Sequence, residues 1–283
     1  MITEEQIAQQ LGRLPTLPSS YYRIVQLADR ESSSAADFEE AMRPDPALTA
    51  NVLRLANSAL FGMPRSIASI RHAVAMLGTR RVVQAALGAA MHKIVPDELP
   101  GYGMDSGEYW RHSVAVAVYT TQIAKNRSHS DPGIAFTSGL LHDIGKLMAG
   151  AFLAENLDDI VAKMREEDNA FVTAEQLVMG IDHTKVGMLV ADRWQLPHAI
   201  TSVARYHHSP SEATDDRVLV DMVHIADCLA HGMGYGTDIG ELSRSIDESA
   251  MVRLGLTSRE LERVASEAIS EIDDLVTSLG QKA

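Results

Sequence analysis

Between residues 45 and 62 the chain reads DPALTANVLRLANSALFG, with apolar Leu48, Val52, Leu55 and Ala59 spaced three or four positions apart. That spacing gathers them on one face of a helix. Asp45 suits an N-cap, Pro46 the first helical position, and Gly62 offers a stop. The same period continues in SIRHAVAMLGTRRVVQAALGAAM, which reads as two helices broken at Gly78 with Thr79 capping the second. It fails from Val95 to Gly103, where VPDELPGYG holds two prolines and two glycines and marks a subdomain boundary.

Beyond that boundary Ser106 can cap a helix running to about Asn126, and Asp131-Pro132 repeats the cap-plus-proline start. Further helices are expected near residues 133–142, 146–166, 173–180, 183–194, 197–206 and 216–231. In TSRELERVASEAISEIDDLVTSLG, Thr257 and Glu260 form a capping-box pattern ahead of a stripe of Leu261, Val264, Ala268, Ile272 and Leu275. Alternating strand patterns are scarce and no fixed-period repeat occurs. The predicted fold class is all-α: a multi-helix bundle with an N-terminal helical subdomain (1–100), a helical core (101–231) and a C-terminal helical extension (232–283).

Composition narrows the picture. Apolar residues make up 46% of the 283, enough for a continuous core, and the aromatic share of 5% leaves that core to aliphatic side chains. A net charge of −13 argues against general affinity for nucleic acid or an anionic membrane surface. A single cysteine, Cys228, allows no intrachain disulfide and fits a reducing compartment. The first ten residues, MITEEQIAQQ, do not read as a secretory signal, and no window approaches a membrane span. A soluble, cytoplasmic protein is expected.

The 11 histidines all fall at or after His72. Glu108 and His112 stand four apart, hence on one helix face. GLLHDIGKLM supplies His142, Asp143 and Lys146; His183 follows Asp182 at a helix start; ARYHHSP holds His207 and His208; and Asp227 stands one turn after His224. Singly, each has a plain reading as a hydrogen-bonded core histidine, a surface pair or a helix end. As a set they are imidazoles and carboxylates, the ligands that Zn, Mn and Fe prefer, and a helical bundle can turn such groups toward one centre.

At these residues the chain resembles a known family. HDIGK, with an upstream histidine and a downstream aspartate, is similar to the HD superfamily of metal-dependent phosphohydrolases. LGRLPTLPSSYYRIVQLA, DPALTANVLRLANSALFG and SIASIRHAVAMLG resemble its HDOD branch, bacterial signal-output modules. The resemblance runs from about Leu11 to about Pro210 and more loosely to Asp227. Many HDOD members lack a complete ligand set; this chain resembles the fuller pattern of the related HD-GYP phosphodiesterases. Matched residue by residue, the resemblance implies metal ligands at Glu108, His112, His142, Asp143, His183, His207, His208 and Asp227. The Gly-Tyr-Pro loop is missing, with SPSEATDDRV in its place, which counts against cyclic-dinucleotide recognition.

The implied cofactors are divalent or di-iron-type metal ions, from among Fe, Mn, Zn and Ni. Asp143 would bridge two of them, His112, His142 and Asp227 completing one site and His183, His207 and His208, with Glu108, the other. Lys146, one turn after Asp143, would stabilise charge on a phosphoryl oxygen; its plain reading is a salt bridge to Asp143. Two functions follow from the resemblance. The first is a signal-transduction output module that binds metal and meets signalling proteins such as a receiver or sensor domain. The alternative is a working phosphohydrolase or phosphodiesterase acting on a nucleotide or phosphodiester. Arg65, Arg71, Arg80 and Arg81 make the stretch before residue 82 locally basic, suited to a phosphorylated ligand or an acidic partner, or simply to a solvated face.

Overall fold

The computed structural model describes the chain apart from residues 1, 14, 29, 31, 59–60, 64–65, 128–130, 168–169, 237–244 and 281–283. Ala59 and Arg65, both singled out in the sequence, lie outside the described residues. Helices account for the architecture, and among the described residues the sole β-type pairing is one isolated bridge, Leu99 to Met104. The expected all-α class is what is found.

The N-terminal helices are α1 (Glu4–Arg13), α2 (Ser19–Ala28), α3 (Ala35–Met42), α4 (Pro46–Ala56), α5 (Ile70–Leu77) and α6 (Thr79–Ile94). In α4 the cap is as expected, Asp45 Oδ1 accepting the Leu48 N–H at 2.9 Å, and Leu48, Val52 and Leu55 are buried. The helix stops at Ala56, short of Gly62. Asn57 ends it, giving its side-chain N–H to the Leu53 and Ile67 carbonyls and accepting from Ile67 N. Gly78 separates α5 from α6 at φ 83°, a left-handed-side conformation suited to glycine. Thr79 is the first residue of α6 and not its cap; Gly78 holds that position.

The 95–103 stretch is non-helical except for a single 3-10 turn at Pro100–Tyr102, as its prolines and glycines require. The central bundle follows: α7 (Glu108–Arg127), α8 (Pro132–Leu141), α9 (Lys146–Glu167), α10 (Phe171–Met179), α11 (His183–Arg193), α12 (His198–Tyr206) and α13 (Arg217–Gly232). Ser106 does not cap α7, which starts two residues later behind Gly107, whose carbonyl accepts the Arg111 N–H. Asp131 and Asp182 do cap, accepting from Gly133 N and Lys185 N at 2.8 and 2.9 Å.

After residue 244 come α14 (Glu248–Leu254) and α15 (Ser258–Gly280). The Thr257–Glu260 capping box forms reciprocally, at 3.0 and 3.3 Å, and the Leu261–Leu275 stripe is buried. Stripes from all three stretches of chain join one apolar cluster. Close passage inside the bundle depends on glycines: a Cβ at Gly139 would come within 2.8 Å of the Ala117 Cα, so α8 lies against α7 backbone to backbone.

Candidate metal centre

Five helices and their ends carry the histidines and aspartates inward. His112 sits in the buried face of α7. His142 and Asp143 occupy the tight link between α8 and α9. His183 opens α11, His207 ends α12, and Asp227 lies in the middle of α13. Asp143, His112, His207 and Asp227 are 0% exposed, and His142 and His183 are 1%. His208, one residue past His207, is partly exposed. The structure therefore brings seven of the eight expected ligands to one place.

Asp143 stands at the middle. Its Oδ1 faces His183 Nε2 and His207 Nε2, each at 3.4 Å. Its Oδ2 faces His142 Nε2 at 3.3 Å and His112 Nε2 at 3.8 Å, and takes an ion pair from Lys146 Nζ at 2.6 Å. Asp227 Oδ1 closes the second side, 3.1 Å from His112 Nε2 and 3.6 Å from His142 Nε2, with its Oδ2 3.9 Å from His208 Nδ1. Two groupings share the Asp143 carboxylate: Asp143, His183, His207 and His208 on one side, and His112, His142 and Asp143 on the other.

The outer nitrogens explain the ring orientations. His112 Nδ1 donates to the Tyr235 carbonyl at 2.9 Å and His142 Nδ1 to the Gly139 carbonyl at 2.8 Å. His207 Nδ1 faces the Val203 and Ala204 carbonyls at 3.1 and 3.2 Å, and His183 Nδ1 donates to Glu175 Oε2 at 2.6 Å. With Nδ1 carrying the proton, a neutral ring presents a bare Nε2 lone pair inward, the tautomer a metal ligand needs. His112 and His142 then aim two lone pairs at each other across 3.3 Å, as do His183 and His208 Nε2 at 3.1 Å unless His208 donates. Asp143 Oδ1 and His207 Nε2 are wholly buried without a hydrogen bond. Acceptors facing acceptors in a dry interior require a cation or a proton between them. The residues fit a metal ion, and the group is able to hold one.

Electrostatics agree. Burial alone would raise the Asp143 pKa, but Lys146 and His142 outweigh it and hold the carboxyl well below the usual range. Burial pulls His142 down, yet Asp143 and Asp227 together push it up to about 9, so without a cation this ring takes a proton instead. For His183 burial is likewise the largest influence and is overcome by Glu175 and Asp143. His207, with burial dominant, falls to about 4 and stays neutral.

The remaining expected residue, Glu108, stands apart. Its Oε2 accepts the Asp105 N–H at 2.8 Å at the start of α7, and it belongs to neither grouping. The i,i+4 spacing that put it on the His112 face left it a full turn too far toward the helix end. Lys146 is buried in the ion pair with Asp143, its Nζ 5.3 Å from the Tyr102 ring centroid. Two further groups at the centre are not among the residues expected from the sequence. His231 Nε2 lies 3.6 Å from Asp227 Oδ1, and its i,i+4 spacing on α13 was a signal available beforehand. Glu175, fully buried, carries His183 and accepts from Tyr102 Oη at 2.7 Å. Nothing in its α10 context announces it.

A family model described as the HDOD domain matches residues 14–210. A crystal structure of an HDOD domain protein of unknown function from Geobacter sulfurreducens is 25% identical, with TM-score 0.69 and 99% of each chain covered. A candidate phosphohydrolase from Shewanella amazonensis SB2B is 23% identical, with TM-score 0.74 over 96% of this chain and 97% of that one, a likeness of fold. An uncharacterised protein of Treponema pallidum is 22% identical over 244 residues, 85% of this chain but 46% of that protein; the chain thus spans about half the length of its curated relative.

Proposed function

The chain belongs to the HDOD domain family, and on that premise we propose that it is a bacterial signal-transduction output module whose helical bundle is organised around a bound metal centre. The observation that carries the reading is the buried Asp143 carboxylate, placed between two sets of inward-facing Nε2 atoms. The ligands come from α7, the α8–α9 link, α11, α12 and α13, so occupancy ties the packing of five elements to one small group. Binding that favours one packing of these helices shifts the population toward it, which is how a module without further machinery passes a signal to a receiver or sensor domain.

A second reading has a specific observation in its favour. A cleft of about 230 Å³ lined by Phe171, His183, His208, Ser209, His224 and Cys228 reaches the His183–His208 side of the centre. It gives a small phosphate ester or nucleotide phosphate a way in. A divalent cation supplies Lewis acidity toward a phosphoryl oxygen and a nearby water. Around it the chain does the rest: Asp143 spans both ligand sets, Glu175 fixes the His183 ring, and half-buried His208 stands where it can meet a phosphoryl oxygen.

Elemental analysis of protein purified without chelator tests the metal, with about one equivalent or more of Fe, Mn, Zn or Ni expected, lost in His142→Ala. Substoichiometric metal that His142→Ala leaves unchanged would end the proposal. Hydrolysis of phosphodiesters by the wild type, absent in Asp143→Ala, would favour the enzyme; metal without turnover on a broad nucleotide panel favours the output module.

A further inference from the structure

A second cleft shares no lining residue with the metal centre. It encloses about 630 Å³ between α2 and α6 on one side and α8 and the start of α12 on the other. That is within the range of roughly 300–1,000 Å³ typical of small-molecule sites. The apolar part of its wall is chiefly Val25, Val83, Leu87, Ile134 and Ile200, with Tyr21 buried among them.

Six of the lining residues are polar or charged: Thr79, Arg80, Gln84, Asp131, Thr137 and Gln195. Gln84, 8% exposed, lines the floor, and its Oε1 is buried with no hydrogen bond. The oxygen rests where a side chain at Gly133 would be: a Cβ there would meet it at 1.6 Å. Gly78 precedes α6 with no side chain capping the helix, and Thr79 and Arg80 line the cleft. Arg80 is exposed and has no ion-pair partner among the described residues. The acid on the same lining, Asp131, is already engaged: its Oδ1 accepts the Gly133 N–H and lies 3.8 Å from Arg81 Nε. Among the described members of the locally basic run, Arg71 is taken up by Glu39 and Arg81 faces Asp131, while Arg80 is open to an incoming group. A guanidinium beside the positive end of a 16-residue helix favours an anion.

We propose that this cleft is a binding site for a small amphipathic organic anion. The ligand places a carboxylate or phosphate at Arg80 and the α6 N-terminus, an apolar body between Val83 and Ile134, and a hydrogen-bonding group at the Gln84 side chain. Such a molecule touches α2 and α6 together with α8 and α12. The last two run from the cleft to His142 and His207, so the site lies at one end of helices that carry the metal ligands at the other. The proposal does not depend on whether metal is bound.

The probe is 1-anilinonaphthalene-8-sulfonate, which combines an aromatic body, an N–H donor and a sulfonate; its uncharged counterpart N-phenyl-1-naphthylamine lacks only the anion. Fluorescence titration of the full chain should show saturable binding of the sulfonate at one site. Arg80→Glu should weaken the sulfonate about tenfold or more and leave the neutral probe unchanged, as loss of a charge-assisted contact requires. Ala28→Trp, or Ile134→Trp from the opposite wall, should remove both probes while the melting temperature stays near that of the wild type. Sulfonate binding unaffected by all three substitutions, or no saturable binding at all, would overturn the site. Equal loss of both probes in Arg80→Glu would overturn the anionic end of the ligand.

Discussion

Gly145, inside the HDIGK segment, is the position where a single methyl group should do most damage. A Cβ there would lie 1.9 Å from the His183 carbonyl oxygen, 2.5 Å from Gly187 N and 2.9 Å from Gly187 Cα. All three are backbone atoms of α11, so no rotamer change relieves the overlap. Reaching ordinary contact near 3.4 Å means moving the start of α9 and the first turns of α11 apart by about 1.5 Å. Overpacking of a well-filled interior costs about 1–3 kcal/mol, and the rigid neighbours place Gly145→Ala at about 3. The same displacement separates His183 from Asp143, now 3.4 Å apart between Nε2 and Oδ1, so metal affinity falls as well. Denaturant unfolding of chelated protein measures the first effect, and chelator competition the second. Gly12→Ala is the control, since nothing lies within 4 Å of its added Cβ in α1, and helix propensity makes it neutral or stabilising by up to about 1 kcal/mol. A Gly145→Ala protein within about 0.5 kcal/mol of wild type would refute the account of this segment as a backbone contact.

Other consequences can be checked separately. Glu175→Gln removes the carboxylate that orients His183 at 2.6 Å and should weaken metal binding about 10–100-fold by chelator competition, whereas unchanged affinity would show the ring is fixed by packing alone. Arg253→Ala strips the two-bond partner, at 2.7 and 2.8 Å, from fully buried Asp221 and should cost about 2 kcal/mol in denaturant unfolding; no loss would mean that water replaces the guanidinium. In metal-free protein His142 contributes stability that is complete below its ordinary pKa of 6.5 and is lost as pH rises through about 9. His207, lowered to about 4, stays neutral while the unfolded chain gains a proton, so stability also falls from pH 6.5 toward 4. Chelated protein should therefore be most stable near neutrality, and a flat profile of unfolding free energy from pH 4 to 9 would contradict both shifts. Metal uptake should strengthen with rising pH, because the proton on His142 competes for the same lone pair; affinity independent of pH between 6.5 and 9 would count against it.

Much of the local structure was written in short stretches of chain. Asp45, Asp131 and Asp182 each cap the helix expected of them, and Thr257 with Glu260 opens the last one, because a cap needs only residues two or three apart. The expectations that failed were also local, but had competitors in the vicinity. Ser106 yielded to Gly107 at the start of α7, and Gly62 was pre-empted by Asn57, whose amide reaches Ile67, ten residues on. Glu108 shows the limit of spacing: four residues put it above His112 on the helix, but at the terminus the Asp105 N–H was the nearer donor.

The sequence by itself determined the helices, their apolar faces, and the kinds of atom available to a metal, since periodicity, caps and ligand chemistry depend on neighbours along the chain. Only the tertiary structure decided that Asp143 would lie between His142 and His207, that Glu175 from another helix would hold His183, and that Gln84 would be left without a partner beside Gly133. Those relations join residues from separate helices, and they arise from how closely the backbones pack, as at Gly139 and Gly145, which no one-dimensional pattern records.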